Sequence, residues 1–287
     1  MTASASEPVI RSAANPRYRA LRQLLADARA RRAGRRTVLE GQHLVAAWLA
    51  RGGTVIDWAV GEAAPGEAAL GEAAMNLPGA ARLAPPMVLS RRLLEQTSDL
   101  PSAAPVLAII EAPAPALPAA FDRDLVILDR IQDPSNVGAI IRTVAAAGHP
   151  TVVTTTGTAG CWSPKSLRAG MGGQFALAIY ESIDWPSLRP RLRIPLAATV
   201  VRGGTPLGAS DLRPPLAWWF GNEGEGISAA DAGRAALRLT IEHSDGVESL
   251  NVTAAAAVCL FEQRRQRATS WIPQSPAHRG SRARDRT

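Results

Sequence analysis

The chain has 287 residues, 46% of them hydrophobic, and a formal net charge of +7, which leaves room for one large or two moderate domains around a sizeable core. Two cysteines, Cys161 and Cys259, with no CxxC pair cannot form a disulfide framework; four scattered histidines offer no metal-ligand spacing; and no apolar run nears the roughly 20 residues of a membrane span. Nearly all of the positive charge is arginine, with Lys165 the single lysine. An arginine excess favours an anionic partner, most often nucleic acid, because the guanidinium fork matches phosphate. A GC-rich coding sequence accounts for the choice of arginine over lysine, and less well for the excess. The opening MTASASEPVIRS lacks the apolar stretch of a secretory signal, so a reduced, cytoplasmic setting is expected.

In chain order, residues 1–12 read as flexible and Asn15-Pro16 as a turn. Arg17–Arg32 reads as one arginine-rich amphipathic helix with Leu21, Leu24, Leu25 and Ala28 on one side; its charge suits a solvated face or RNA phosphates. A strand over Thr37–Glu40, a helix over Gln42–Ala50 and an extended stretch over Val55–Val60 follow. GEAAP, GEAAL and GEAAM, from Gly61, Gly66 and Gly71, form a low-complexity repeat. A strand over Pro85–Leu89, a helix over Arg91–Gln96 and a strand over Val106–Ile110 complete a small α/β unit spanning 13–110. The proline- and alanine-rich Glu111–Asp122 reads as a linker. From 123 to 265, strands are expected at Leu125–Leu128, Thr151–Thr154, Phe175–Tyr180, Leu196–Val200, Ala217–Phe220 and Leu237–Ile241. Helices are expected at Asn136–Ala147, Ser163–Ala169, Trp185–Arg191, Ser228–Ala235 and Ser249–Arg265. Such alternation predicts a parallel sheet covered on both faces. Residues 266–287 read as a disordered basic tail.

Three stretches follow strands. In LDRIQDPSNVGAIIRT, Leu128–Thr143, a turn on Asp133-Pro134 opens a helix with Asn136 at its start and Arg142 nearly two turns on. In FGNEGEGI, Phe220–Ile227, three glycines directly after a strand let backbone approach a ligand, and their order is not that of the dinucleotide fingerprint. In EHSDGVESLNVTAAAAVCLFE, Glu242–Glu262, a turn at Gly246 leads to a helix that Ser249 is expected to cap. Each sits at the carboxyl end of a strand, where open α/β sheets bind ligands. Taken singly, each fits a capped core helix or a plain turn as well.

Taken together and in order, DPSNVGAIIRT, FGNEGEGIS and GVESLNVTAAAAV resemble the SpoU/TrmH family of SPOUT methyltransferases. The segment Ser163–Gly172 resembles the family's stretch between the first two motifs, and RSAANPRYRALRQL and LEGQHLV resemble its accessory RNA-recognition domain. The resemblance covers about residues 10–265. It implies a mostly parallel α/β sheet with a C-terminal deep trefoil knot, preceded by a small α/β RNA-recognition domain. It implies S-adenosylmethionine as cofactor, no metal, a homodimer through the knotted domain, and methylation of a ribose 2′-OH, with large-subunit rRNA favoured over tRNA by the separate N-terminal domain. A catalytically silent RNA-binding relative would show a degraded first or third motif, and neither is degraded. By motif position, Gly221, Ile241 and Leu250 would present backbone groups to the cofactor. Asn136, Arg142, Glu223, Ser249 and Asn251 occupy positions assigned to catalysis or its support. Arginine keeps its proton at any ordinary pH, so Arg142 is expected to bind phosphate and orient the hydroxyl rather than act as base. Where a proline and an apolar residue often follow the third-motif strand, this chain has Glu242 and His243, so the loop there is expected to differ in shape.

Overall fold

The computed structural model describes residues 8–62, 83–97, 104–244 and 246–269. Helix α1 (Pro16–Ala26) starts on Asn15, whose Oδ1 accepts the amides of Arg17 and Tyr18, with proline at the first helical position. A second helix, α2 (Ala28–Gly34), follows. The single helix expected over 17–32 breaks at Asp27, whose backbone is extended and whose carboxylate accepts the Arg29 amide at 2.7 Å. An apolar stripe runs across such a break unchanged, so periodicity does not register it. Strand β1 (Arg36–Glu40), helix α3 (Gln42–Ala50), strands β2 (Asp57–Gly61) and β3 (Met87–Leu89), helix α4 (Arg91–Glu95) and strand β4 (Val106–Glu111) complete the lobe. Its sheet has the order β1-β4-β2-β3. Residues 8–10, expected to be flexible, are held at its edge. The Ile10 amide donates to the Val88 carbonyl at 2.7 Å, and its carbonyl accepts the Ser90 amide at 3.0 Å. Beyond Glu62 the GEAA repeat lies outside the described residues.

The connecting segment is anchored by one aromatic side chain. Phe121 is buried against Tyr180 with ring centroids 5.6 Å apart, its amide donates to the Arg191 carbonyl, and its carbonyl accepts the Arg193 amide. Then β and α alternate: β5 (Leu125–Leu128), α5 (Pro134–Ala147), β6 (Thr151–Thr155), α6 (Pro164–Gly170), β7 (Ala178–Ile183), α7 (Trp185–Leu188), β8 (Leu196–Thr199), β9 (Thr205–Pro206), β10 (Ala217–Phe220), α8 (Ala229–Ala232), β11 (Leu237–Thr240) and α9 (Val252–Thr269). The seven strands run β7-β6-β5-β10-β8-β11-β9, and every pairing is parallel. The central pair, LVIL and AWWF, is buried throughout, as a sheet covered on both faces requires. The strand expected at Phe175–Tyr180 begins instead at Ala178, because Gly172 turns left-handed and Gly173–Ala176 forms a 3-10 turn. The short β9 has no counterpart in the sequence reading. Helix α9 runs through Thr269, so residues 266–269, expected in the tail, are its last turn; 270–287 lie outside the described residues.

One buried cluster joins both sheets: Leu39, Trp58, Val60, Ala108 and Ile110 from the first lobe meet Val137, Ile141, Trp162 and Leu167 from the second. Fully burying side chains of this size stabilises by about 1.5–3 kcal/mol each. Thr37 Oγ1 donates to the Trp162 carbonyl at 2.6 Å, and Arg168 pairs with the buried Glu40 across the same seam. Within the second lobe α6 lies directly on α5. A Cβ added at Gly138 would fall 2.2 Å from the Ser166 carbonyl oxygen, so only glycine allows this contact.

Candidate active site

At the carboxyl edge of β8, β10 and β11 three loops enclose a cavity of about 650 Å³, within the range of small-molecule sites. The loops are 199–202, 221–227 and 241–252, and the third leads into α9. Val200, Ile241, Leu250, Val252 and Ala255 give it apolar walls. Gly221 cannot carry a side chain: a Cβ there would lie 2.5 Å from the carbonyl carbon of Gly226, which itself turns with φ +64°. Asn222 shapes this loop. Its Nδ2 donates to the Arg130 carbonyl at 2.8 Å, and its Oδ1 accepts the amides of Gly224 and Glu225.

Glu223 reaches away to the first motif. Its carboxylate accepts the amides of Gln132 and Asp133 at 3.1 and 3.2 Å and Asn136 Nδ2 at 3.0 Å. Asn136 Oδ1 in turn accepts the Thr253 hydroxyl at 3.2 Å. Asn136 therefore ties the glycine loop to the start of α9, and all three motifs are joined by side chains. Partial burial pushes the Glu223 carboxyl up, but its hydrogen bonds from Asn136, Gln132 and Asp133 outweigh this and hold it below its ordinary value. Lys165 on α6 pairs with Asp133 at 2.9 Å and steadies the same turn, whose helix α5 starts at Pro134 with Asp133 as cap.

The third motif differs from expectation in its cap. Helix α9 begins at Val252, and Asn251 is its N-cap: its Oδ1 accepts the Thr253 amide at 2.8 Å and its carbonyl accepts the Ala255 amide at 3.0 Å. Ser249 lies before the helix and lines the cavity instead. His243 sits within the loop that follows β11. Its Nδ1 faces the Ile241 carbonyl at 2.8 Å and its Nε2 the Val247 carbonyl at 3.1 Å. The imidazole thus lies between the two arms of the turn at Gly246 and donates to one of the two carbonyls in its neutral form.

Six of the eight expected residues line one cavity: Gly221, Glu223, Ile241, Ser249, Leu250 and Asn251. Asn136 joins them through Glu223 and Thr253. Arg142 does not line it. It is exposed on α5, and its side chain makes no hydrogen bond or ion pair among the described residues. The sequence reading assigned no role to Asn222 and Thr253, and marked His243 only as a departure in the loop. The signals for Asn222 and Thr253 were local: an Asn inside a glycine turn, and a hydroxyl two residues after a cap. Among the described residues no cluster of three or more His, Cys, Asp or Glu could hold a metal. None of their helices is long and apolar enough to cross a membrane.

Residues 124–261 match the family model described as the SpoU rRNA Methylase family. This stretch, the second lobe, is a SpoU-family domain. Among its relatives, the 23S rRNA (guanosine(2553)-2'-O)-methyltransferase RlmP of Bacillus subtilis is 33% identical over 145 residues, covering 50% of this chain and 58% of that one. The 23S rRNA (uridine(2479)-2'-O)-methyltransferase of Streptomyces viridochromogenes is 30% identical over 182 residues, covering 60% and 63%. The chain thus spans less than two thirds of the length of these curated relatives. Among solved structures, the SpoU methyltransferase AviRb from Streptomyces viridochromogenes, in complex with the cofactor AdoMet, superposes with a TM-score of 0.75 at 25% identity, over 89% of this chain and 99% of that one. The SpoU fold of this chain is therefore the mostly parallel, knotted α/β fold of the SPOUT class, as the motifs implied.

Proposed function

We propose that this chain is an S-adenosylmethionine-dependent methyltransferase that methylates a ribose 2′-OH of RNA, with large-subunit rRNA as substrate. The observation that carries this is the cavity between the second and third motif loops, lined by Gly221, Ile241 and Leu250 and tied to the first motif through Asn136. Its chemistry fits the cofactor. Glu223, Glu225 and Glu248 line it against one arginine, Arg202. A phosphate-bearing nucleotide would find little neutralising charge there, whereas a cationic sulfonium nucleoside is well matched. The names of the SpoU relatives, as 23S rRNA 2'-O-methyltransferases, support the substrate. No metal is called for.

When bound, the cofactor supplies an electrophilic methyl group on a sulfonium. The chain's part is to hold both reactants in attack geometry, the largest lever for such a transfer. The peptide groups of Gly221, Ile241 and Leu250 would hold the adenine and ribose between apolar walls. The Asn136–Glu223–Thr253 hydrogen bonds fix the three motifs relative to one another, which makes Asn136 and Glu223 supports of the site. Ser249 and Asn251, which line the cavity, would meet the acceptor ribose. Arg142, with its guanidinium unengaged among the described residues, would bind the adjacent RNA phosphate and orient the hydroxyl through a charge-assisted bond.

Residues 13–110 would serve as the RNA-recognition domain and 123–265 as the catalytic one. Arg19, Arg29, Arg35 and Arg36 are exposed, and their side chains make no hydrogen bond or ion pair among the described residues. They would supply sequence-independent phosphate contacts, so RNA affinity should fall steeply with salt. The active form would be a cytoplasmic homodimer through the knotted domain. Val258 and Phe261, 43% and 46% exposed on α9, give that domain an apolar face to cover. Two measurements test the proposal. Calorimetry with a chelator present should detect S-adenosylmethionine or its demethylated product, and binding of neither by folded protein would end the enzyme reading. Ribose-methylation mapping of total RNA, with and without the gene, should reveal one lost site in large-subunit rRNA; a lost tRNA site would redirect the substrate.

A further inference from the structure

The turn after α6 touches both lobes and also the helix that carries Arg142. Phe175 in that turn lies between two indoles. Trp48 of α3 meets it edge-on, with centroids 5.1 Å apart at 64°, and Trp162 stacks on it at 6.3 Å and 19°. Arg51, also from the first lobe, donates from Nη1 to the Phe175 carbonyl at 3.3 Å. Two residues earlier the turn has no side chain to yield. A Cβ added at Gly173 would lie 3.0 Å from the Arg142 Cα and 3.3 Å from its backbone nitrogen, so the turn rests directly on the main chain of α5 at Arg142. On its other side Gln174 is buried, and its Nε2 donates to the Ser166 and Cys161 carbonyls at 2.9 and 3.3 Å.

Trp48 is itself firmly seated. Its Nε1 donates to the Thr54 carbonyl at 2.9 Å, and its ring lies where a Cβ on Gly53 would come within 2.2 Å. Gly172, with φ +81°, lets the turn pass close to Ala47 of the same helix, 3.7 Å from where its Cβ would be. The first lobe thus bears on Arg142 through a short series of packed groups: Gly53 under Trp48, Trp48 on Phe175, Gly173 on the backbone of Arg142. Close-packed interiors transmit small displacements because they have few voids to absorb them.

We propose that Trp48, in the N-terminal lobe, is a positioning residue for Arg142, acting through the Gly172–Phe175 turn. This rests on Arg142 serving the acceptor ribose, as proposed above. Emptying the Trp48 site lets the turn relax away from α5, and a misplacement of about 1 Å at a reacting group can cost on the order of a hundredfold in rate. A backbone shift reached through one turn should cost less, roughly tenfold.

The test uses the full-length chain with tritiated S-adenosylmethionine and total RNA from cells lacking the gene. Trp48→Ala should lower kcat by roughly tenfold, with the affinity for S-adenosylmethionine unchanged and KM for RNA changed less than kcat. Trp48→Phe keeps a ring against Phe175 and should recover most of the rate; it also serves if the alanine variant does not fold. The deciding measurement is the combination with Arg142→Ala, since residues acting through one another are not additive. The double variant should be no slower than Arg142→Ala alone. Multiplying losses would overturn the proposal and assign Trp48 an independent effect. A fall in melting temperature with kcat unchanged would overturn it too, leaving Trp48 as core. Lack of turnover in the unaltered protein with any RNA would sink the parent reading instead, and this one with it.

Discussion

The two edges of the seven-stranded sheet use the same kinds of side chain to opposite ends. At its base, where β5 begins, the polar groups of α9 are fully engaged. Arg267 donates to both oxygens of Asp124 at 2.6 and 3.0 Å and to the carbonyls of Arg213 and Pro214. Gln263, fully buried, accepts the Trp218 indole N–H at 2.7 Å and donates to the Pro214 carbonyl. Arg142, exposed on α5, has no such partner among the described residues, and at the carboxyl edge Ser249 and Glu248 line an open cavity. Satisfied groups hold the fold together, and groups left open are available to a ligand. An arginine's position on a helix does not say which kind it is; the partners within reach do.

The sharpest way to break this contrast is Arg142→Ala. Losing one charge-assisted contact of about 3 kcal/mol corresponds to roughly a hundredfold in turnover. Melting temperature and cofactor affinity should stay put, and Arg142→Lys should rescue little because it lacks the fork. If stability falls in step with turnover instead, Arg142 belongs with Arg267 as a brace. The mirror experiment is Asp124→Asn. It leaves Arg267 without its carboxylate in a partly buried place, which should cost about 2 kcal/mol. Thermal unfolding should then come roughly 4–8 °C earlier, with turnover at 25 °C unchanged; lost turnover in a stable variant would mean that the base serves chemistry. Smaller again is Gly221→Ala, where the new methyl meets the Gly226 carbonyl carbon at 2.5 Å. Displacing the loop should weaken S-adenosylmethionine binding by about tenfold, roughly 1.4 kcal/mol, as calorimetry would show.

The gentlest probe is pH. Burial pushes the Asp124 carboxyl up, but the hydrogen bonds from Arg267 and the Leu216 amide bring it below its ordinary value; Glu223 is lowered likewise by its own bonds. A carboxyl lowered in the folded state contributes stability that is complete above the unfolded value, near pH 4, and lost as pH falls through the folded one. His149, buried with Nδ1 unpartnered among the described residues, is pushed below its ordinary value by burial, against the pull of Asp124. Its contribution is complete above about pH 6.5 and declines below that. Stability should therefore be flat with respect to these groups above neutrality, slip mildly below pH 6.5 and fall again below pH 4. Denaturant titrations across this range would check it, and Asp124→Asn should flatten the acid-most part.

Much of the second lobe was legible because buried parallel strands such as LVIL and AWWF are continuous apolar runs between turns. The three motifs also announced where their loops would meet. What stayed hidden depends on partners distant in sequence or on competition between neighbours. Asp27 breaks a helix whose apolar stripe continues, and Asn251 rather than Ser249 caps α9 because the helix starts later. Glu223 bonds residues about ninety positions earlier, which no local pattern encodes. Proline and alanine content marked 111–122 as a linker, yet Phe121 fastens it and a shared core joins the lobes. Deleting the first lobe would bare that core, so substitutions test its role more cleanly than truncation.

The contact between Asp124 and Arg267 spans 143 residues of chain. A ribosome adding about 5–20 residues per second would take roughly 7–29 seconds to make the second partner after the first. Throughout that interval the base of β5 has its carboxylate and no guanidinium, and the edge that α9 will close stands open. Nascent chains of this protein should accordingly remain protease-sensitive at the sheet's base until their last helical turn emerges, however early the N-terminal lobe has formed.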